Sequence, residues 1–244
     1  MLTQEENDFL TRVGPGTPAG ALLRRYWHPV ATAQDVTDER PTKFVRILGE
    51  DLVLFKDLSG RVGLIADHCA HRSASLVYGR VEERGISCAY HGWLYDETGQ
   101  CIEQPYEETE DPEGRFKEKI QAKAYPVQIL AGLVFAYMGP PDEIPEFPYY
   151  DSIDLPDHEL LPYSIHSSSN WLQESENSID PFHSVFLHTR PTGPQFTGLE
   201  HFAALPVVAY HNRPEGFVYS HARRIDDLIM IRFHDHMTPN MAQN

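Results

Sequence analysis

Apolar and polar residues follow two different periods along this chain. Near the N-terminus GPGTP punctuates short helical segments: Thr17 can cap a helix whose first residue, Pro18, has no N–H to lose there, and AGALLRRYW carries apolar and basic residues at helical spacing. From Lys43 the period becomes that of strands. KFVRIL, DLVLF and RVGLIA are separated by the turn-rich GED and DLSG, another strand pair frames Ile86 to Tyr95, and LVFAYM from Leu133 closes a small antiparallel β module. The acidic IEQPYEETEDPEG reads as a solvated loop. Proline is so dense in GPPDEIPEFPYYDSIDLPD that neither helix nor sheet can run through it, which marks a boundary, and a second module begins near His158. Its core is one helical stretch, NWLQESENSIDPFHSVFLH, followed by the strand-like LPVVAY and GFVYSHARR. The expected architecture is α+β: an N-terminal helical arm over 1–40, an antiparallel β domain over 41–140, and a partial second module over 141–244.

Composition narrows the class. The 244 residues suffice for a sizeable core, and 36 acidic against 20 basic side chains, a formal charge of −16, argue against a protein that grips phosphate backbones. MLTQEENDFL has none of the basic start and apolar stretch of a signal peptide, and no apolar run is long enough to span a bilayer. Three cysteines are too few for a disulfide scaffold. The expectation is a cytoplasmic protein with neither nucleic acid nor membrane as partner.

Two of those cysteines sit in a pattern. DHCAHRSASL and CAYHGWLYD give Cys69-x-His71 and Cys88-x-x-His91, each placed where a loop joins strands. Thiolate and imidazole are both metal ligands, and a short spacer lets two of them converge from one loop. Three readings compete: a tetrahedral structural zinc, a chance arrangement without metal, and a [2Fe–2S] cluster with Cys69 and Cys88 on one iron and His71 and His91 on the other, the Rieske arrangement. The cluster is favoured because each loop offers one ligand of each type. Neutral imidazoles in place of two thiolates would raise its potential from about −400 mV to between about −150 and +300 mV. Cys101 falls outside the scheme and reads as a structural thiol.

A second constellation lies in ENSIDPFHSVFLH, where Asp180 and His183 are three apart on one helical face and His188 follows five residues later. Positions five apart do not stack on a helix, so the helix must end or distort before His188 if both imidazoles are to meet one metal. Two histidines and a carboxylate form a facial iron site with open positions for O2 and substrate; two histidines on an amphipathic helix are the bland alternative.

Taken together, LTQEENDFLTRVGPGTPAGALLRRYWHPVA, CAHR, CAYHGWLYD and ENSIDPFHSVFLH resemble, in that order, the oxygenase (α) subunits of the Rieske non-haem iron ring-hydroxylating oxygenases, in particular the phthalate 4,5-dioxygenase-like group. The resemblance implies a Rieske [2Fe–2S] domain followed by a helix-grip catalytic domain. It implies cluster ligation by Cys69, His71, Cys88 and His91, Fe(II) ligation by His183 and His188, and a bridge from Asp180 to a cluster histidine, His91, of a neighbouring subunit in a homotrimer. It also implies electrons from NADH through a separate flavin and ferredoxin-type reductase, and O2-dependent hydroxylation or demethylation of a small aromatic-type substrate, as in aromatic hydrocarbon catabolism. Asn177, one turn before Asp180, is a candidate for the iron pocket.

The chain departs from the pattern in one respect. The family's third iron ligand is an aspartate much further along, and none of Asp226, Asp227 and Asp235, which lie in or beside strand-like segments, is assigned to that role. The expectation is a truncated product whose open sheet exposes an edge and an apolar face. The competing function is a Rieske ferredoxin-like electron carrier or an inactive oxygenase fragment, with a zinc-binding structural protein third. Phe182, Phe186, Phe196, Phe202 and Phe217 are either pocket lining or plain core.

Overall fold

The computed structural model describes residues 2–107, 113–153, 155–188 and 204–243. They divide into two compact units, 1–166 and 167–244. Both combine short helices with antiparallel sheets, the expected α+β class. No helix among the described residues is long and apolar enough to cross a membrane.

The first unit opens with α1 (Gln4–Thr11) and α2 (Pro18–Leu23), and Thr17 caps α2 by accepting from the Gly20 N–H at 3.2 Å. The helical arm is shorter than its expected 40 residues. Trp27–Thr32 is a strand, β1, paired antiparallel to β11 (Leu133–Tyr137), which in turn pairs with β10 (Val127–Leu130). The reason is aromatic packing: Trp27 and Phe135 both meet Phe147 edge-on, at 5.3 and 5.1 Å between ring centroids.

A second sheet has the order β2 (Thr42–Ile47), β3 (Glu50–Lys56), β4 (Val62–Ala66) and β9 (Ala124–Tyr125). The third joins β5 (Arg80–Glu82), β6 (Gly85–Ser87), β7 (Leu94–Tyr95) and β8 (Cys101–Glu103). Strand β3 is covered on both faces, with Leu52 at 1% and Val53, Leu54 and Phe55 at 0% exposure, which is why DLVLF is a continuous apolar run rather than an alternating one. Val53, Phe55 and Ile65 pack with Leu76, Ile86, Trp93, Tyr95 and all three cysteines in one cluster, where each fully buried Leu- or Phe-sized side chain contributes roughly 1.5–3 kcal/mol.

The proline-rich segment does not open the second unit. Trp27 donates its indole N–H to the Pro145 carbonyl at 3.2 Å, Tyr137 donates to the Glu143 carbonyl at 3.0 Å, and Phe147 joins the Trp27–Phe135 cluster. Extended backbone with free carbonyls suits a strap of this kind, so the segment from 141 onward belongs with the first unit and the division falls after His166.

In the second unit the expected single helix is two. Helix α3 (Trp171–Ser178) starts on Asn170, whose side chain accepts from the Leu172 and Gln173 N–H groups at 3.1 Å, and α4 is His183–Phe186. Pro181 causes the break: it lacks an N–H, and its ring disfavours helical backbone at Asp180. The sheet is a meander of β12 (Val207–Arg213), β13 (Gly216–Ile225), β14 (Leu228–Met237) and β15 (Met241–Gln243).

Gly85, at φ +107°, turns the chain into β6 where an added Cβ would run into the Tyr95 carbonyl, and its N–H donates to buried Asp57 at 3.2 Å. Gly85→Ala is expected to cost about 1–3 kcal/mol in urea unfolding, by overpacking; an unchanged midpoint would refute the tight closure of the third sheet.

Candidate metal centres

The two Cys/His loops share one backbone design. In the first, the Cys69 N–H donates to the Ala74 carbonyl at 2.9 Å and the Ser73 N–H returns to the Cys69 carbonyl at 2.9 Å. In the second, the Cys88 N–H donates to the Trp93 carbonyl at 2.8 Å and the Gly92 N–H returns to the Cys88 carbonyl at 2.9 Å. Both bonds have the same sequence offsets, and the fourth residue after each cysteine is left-handed, Ser73 at φ 55° and Gly92 at φ 75°. Each loop therefore leaves its cysteine in the apolar core and lifts its histidine toward the tip. Cys69 and Cys88 are 3% and 2% exposed, whereas His71 and His91 are half-buried with ring centroids 4.5 Å apart.

The first loop is tied down by buried Asp67, whose Oδ1 accepts from Ser75 Oγ and the Val77 N–H, both at 2.9 Å. Tyr95 reaches it from β7, its hydroxyl 3.3 Å from Cys69 Sγ while accepting from the Ala70 N–H at 3.2 Å. Trp93 stacks on His71 at 4.8 Å and 9°. Burial raises the Cys69 pKa, opposed by the bonds from Tyr95 and the His71 N–H, and the adjacent Cys88 thiol raises it further. Desolvation, then the neighbouring His71 and Arg72, hold His91 below the ordinary imidazole value, which favours its neutral form. Burial pushes Cys101 up to about 12, and it stays a thiol in the core.

These donors fit a two-iron cluster better than a single ion. His71 Nδ1 is buried without a hydrogen-bond partner, the condition of a nitrogen reserved for a metal. The Cys69 and Cys88 thiols are neighbours, and the His71 and His91 rings form a second pair 4.5 Å apart, the two-and-two division a two-iron cluster uses.

The second constellation is differently built from its helical expectation. Asp180 and His183 do not share a helical face: Asp180 lies in the break, and its Oδ1 accepts from the Phe182 N–H at 2.8 Å. Its other oxygen is 3.5 Å from His183 Nδ1, a nitrogen that is buried and makes no hydrogen bond. Helix α4 ends at Phe186, which allows the His188 ring to come within 5.2 Å of the His183 ring. Asn177 is exposed on α3, as are Phe182 and Phe186 on their segment, and Phe217 is half-buried against His236. Phe196 and Phe202 lie outside the described residues. Asp226 and Asp227 make the exposed β13–β14 turn, and Asp235 faces Arg213 at 3.4 Å.

The sequence reading missed a polar cluster on one face of the second unit's sheet. Arg223, His221 and His234 are 2%, 3% and 6% exposed. An Arg223 Nη1–H donates to His221 Nδ1 at 2.7 Å, so that nitrogen carries the lone pair and the His221 proton sits on Nε2, which donates to His234 Nε2 at 3.1 Å. Tyr219 stacks on His234 at 4.4 Å. The signal was available as alternation, because Tyr219, His221 and Arg223 are two apart and face one way.

Residues 26–126 match the family model of the Rieske [2Fe-2S] domain, so the mirrored loops belong to a domain of that class. Over 243 residues the chain is 44% identical to the 5,5'-dehydrodivanillate O-demethylase oxygenase subunit of Sphingobium sp. (strain NBRC 103272 / SYK-6), covering 93% of this chain and 53% of that protein. It is 43% identical to the tert-butanol monooxygenase / tert-amyl alcohol desaturase oxygenase subunit of Aquincola tertiaricarbonis, covering 96% of this chain and 52% of that one. Pseudomonas putida CBB5 NdmA, solved with caffeine, has a TM-score of 0.69 at 26% identity, over 90% of this chain and 64% of the other. The chain belongs to the Rieske oxygenase family, and it spans about half the length of these curated relatives.

Desolvation, then the charges of Arg223, His234 and Arg232, hold His221 at about 4. A pKa below the unfolded value of about 6.5 contributes stability that is complete above that pH and is lost as pH falls toward 4. Thermal melts between pH 7.5 and 4.5 are expected to decline less steeply for His221→Gln than for the parent; parallel curves would show that His221 is not the buried neutral group.

Proposed function

We propose that this chain acts within the oxygenase component of a Rieske-type oxygenase, with Cys69, His71, Cys88 and His91 holding a [2Fe–2S] cluster and His183 and His188 supplying two ligands to a mononuclear Fe(II). When bound, these groups supply single electrons and O2 activation for hydroxylation or demethylation of a small organic substrate. The observation that carries the reading is the mirrored pair of loops, each delivering one buried thiol and one imidazole, with His71 Nδ1 left unpartnered.

The residues divide the work. The Tyr95 hydroxyl gives the Cys69 sulfur a hydrogen bond, and Trp93 fixes the His71 ring plane. Asp180 lies beside His183 with Oδ2 3.5 Å from Nδ1 and no hydrogen bond between them, so this buried, unpartnered nitrogen is available to a metal as His71 Nδ1 is. The Asp180 carboxylate is 44% exposed, so it can also meet His91 of a neighbouring subunit, as a head-to-tail homotrimer requires. Electrons reach the component from NADH through a separate reductase, in the cytoplasm. An aromatic substrate is supported by the demethylase relative, while the tert-butanol relative, at nearly the same identity, carries an aliphatic one in its name.

Anaerobic reconstitution of the full chain is expected to give two acid-labile sulfides and a dithionite-dependent paramagnetic resonance signal, both lost in Cys69→Ser and His91→Ala. A colourless product carrying zinc and no sulfide would overturn the reading. Asp180→Asn is expected to lower NADH-coupled turnover of the assembled oxygenase by about tenfold or more with the cluster signal intact; near-parental turnover would remove Asp180 from the bridging role.

A further inference from the structure

The break between α3 and α4 leaves carbonyls that no helix can use. Pro181 brings no N–H, and α3 ends at Ser178 with Ile179 to Pro181 outside any helix, so the carbonyls from Ser178 to Pro181 need donors from elsewhere or water. The sheet provides them. Tyr219 donates its hydroxyl to the Ser178 carbonyl at 3.3 Å and Tyr210 donates to the Ile179 carbonyl at 3.3 Å. Arg223 Nη2 donates to the Pro181 carbonyl at 2.9 Å and to Ser184 Oγ at 3.2 Å, and Ser184 itself donates to the Pro181 carbonyl at 2.7 Å.

We propose that Arg223 is a positioning residue for the His183–His188 donor pair, locking the helix break on which the placement of both imidazoles depends; this deepens, and rests on, their assignment to a mononuclear iron. The guanidinium is 2% exposed and is held from behind as well as in front. Its Nε donates to the Ala204 carbonyl at 3.0 Å and Nη1 to His221 Nδ1, which hands the chain of bonds on to His234. A planar fork with donors in fixed directions can serve all of these acceptors at once, and an ammonium cannot. Ser184 is the residue next to His183, so one guanidinium nitrogen grips both the end of the break and the first turn of α4.

The test uses Co(II) as the probe of the histidine pair in the full chain carrying its cluster, with Arg223→Lys and Arg223→Gln as variants. Both are expected to weaken Co(II) binding roughly 10–100-fold, the range for groups that support a metal ligand, and to speed backbone hydrogen exchange over 182–188. Sulfide content and the cluster's resonance signal should stay unchanged. Parental Co(II) affinity together with parental exchange in both variants would overturn the proposal. Should either arginine variant fail to fold, Tyr219→Phe, which deletes one hydroxyl, is expected to show the same two effects at smaller size, and parental values there would count against the locked break. If the parent chain shows no Co(II) binding that His183→Ala abolishes, the iron assignment fails instead, and the exchange measurement alone decides whether Arg223 holds the break.

Discussion

The first unit is organised around a conflict between sulfur and nitrogen. Two thiols must sit in a dry core while two imidazoles from the same loops stay near the surface, and each loop has only five residues after its cysteine in which to do this. The shared solution is a backbone closed by two hydrogen bonds with a left-handed residue before closure. Gly92 adopts that conformation without strain, and Ser73 adopts it because Asp67 and the Ser75–Val77 contacts fix the chain that follows. The remaining architecture serves this arrangement: β3 fills the floor, Trp93 and Tyr95 wall the cysteines, and the third sheet carries the second loop.

Much of this was legible in the residues alone. Strands β2 to β4 show through their apolar runs and turn residues, the α2 cap through Thr17 and Pro18, and the donor set through two short Cys/His spacings, because each signal is local. What was not legible depends on distant contacts. The apolar period continues through Pro181 and predicts a single helix across Asp180, yet one missing N–H outweighs periodicity there. The prolines mark a boundary in the sequence, yet Phe147 is held by Trp27 more than a hundred residues earlier. Arg223 carried no motif at all; its role is defined by carbonyls that become free only once the helix breaks.

The two constellations therefore rest on different kinds of support. The cluster loops hang from a hydrophobic core and owe their shape to their own backbone. The second site owes its shape to polar side chains reaching from a sheet, with Arg223, Tyr210 and Tyr219 each spending a donor on a main-chain oxygen. Apolar packing tolerates modest substitution of similar volume, whereas a buried polar network fails when one member is lost. The second site is therefore the less tolerant of single substitutions among the side chains that hold it.

The grip of Arg223 on Pro181 and Ser184 spans about forty residues of sequence. Contacts of that separation form late, after the hairpin that carries them has paired. The bonds that close the two Cys/His loops span only four and five residues, so those loops can close locally, whereas the break between α3 and α4 is locked only once the meander has paired.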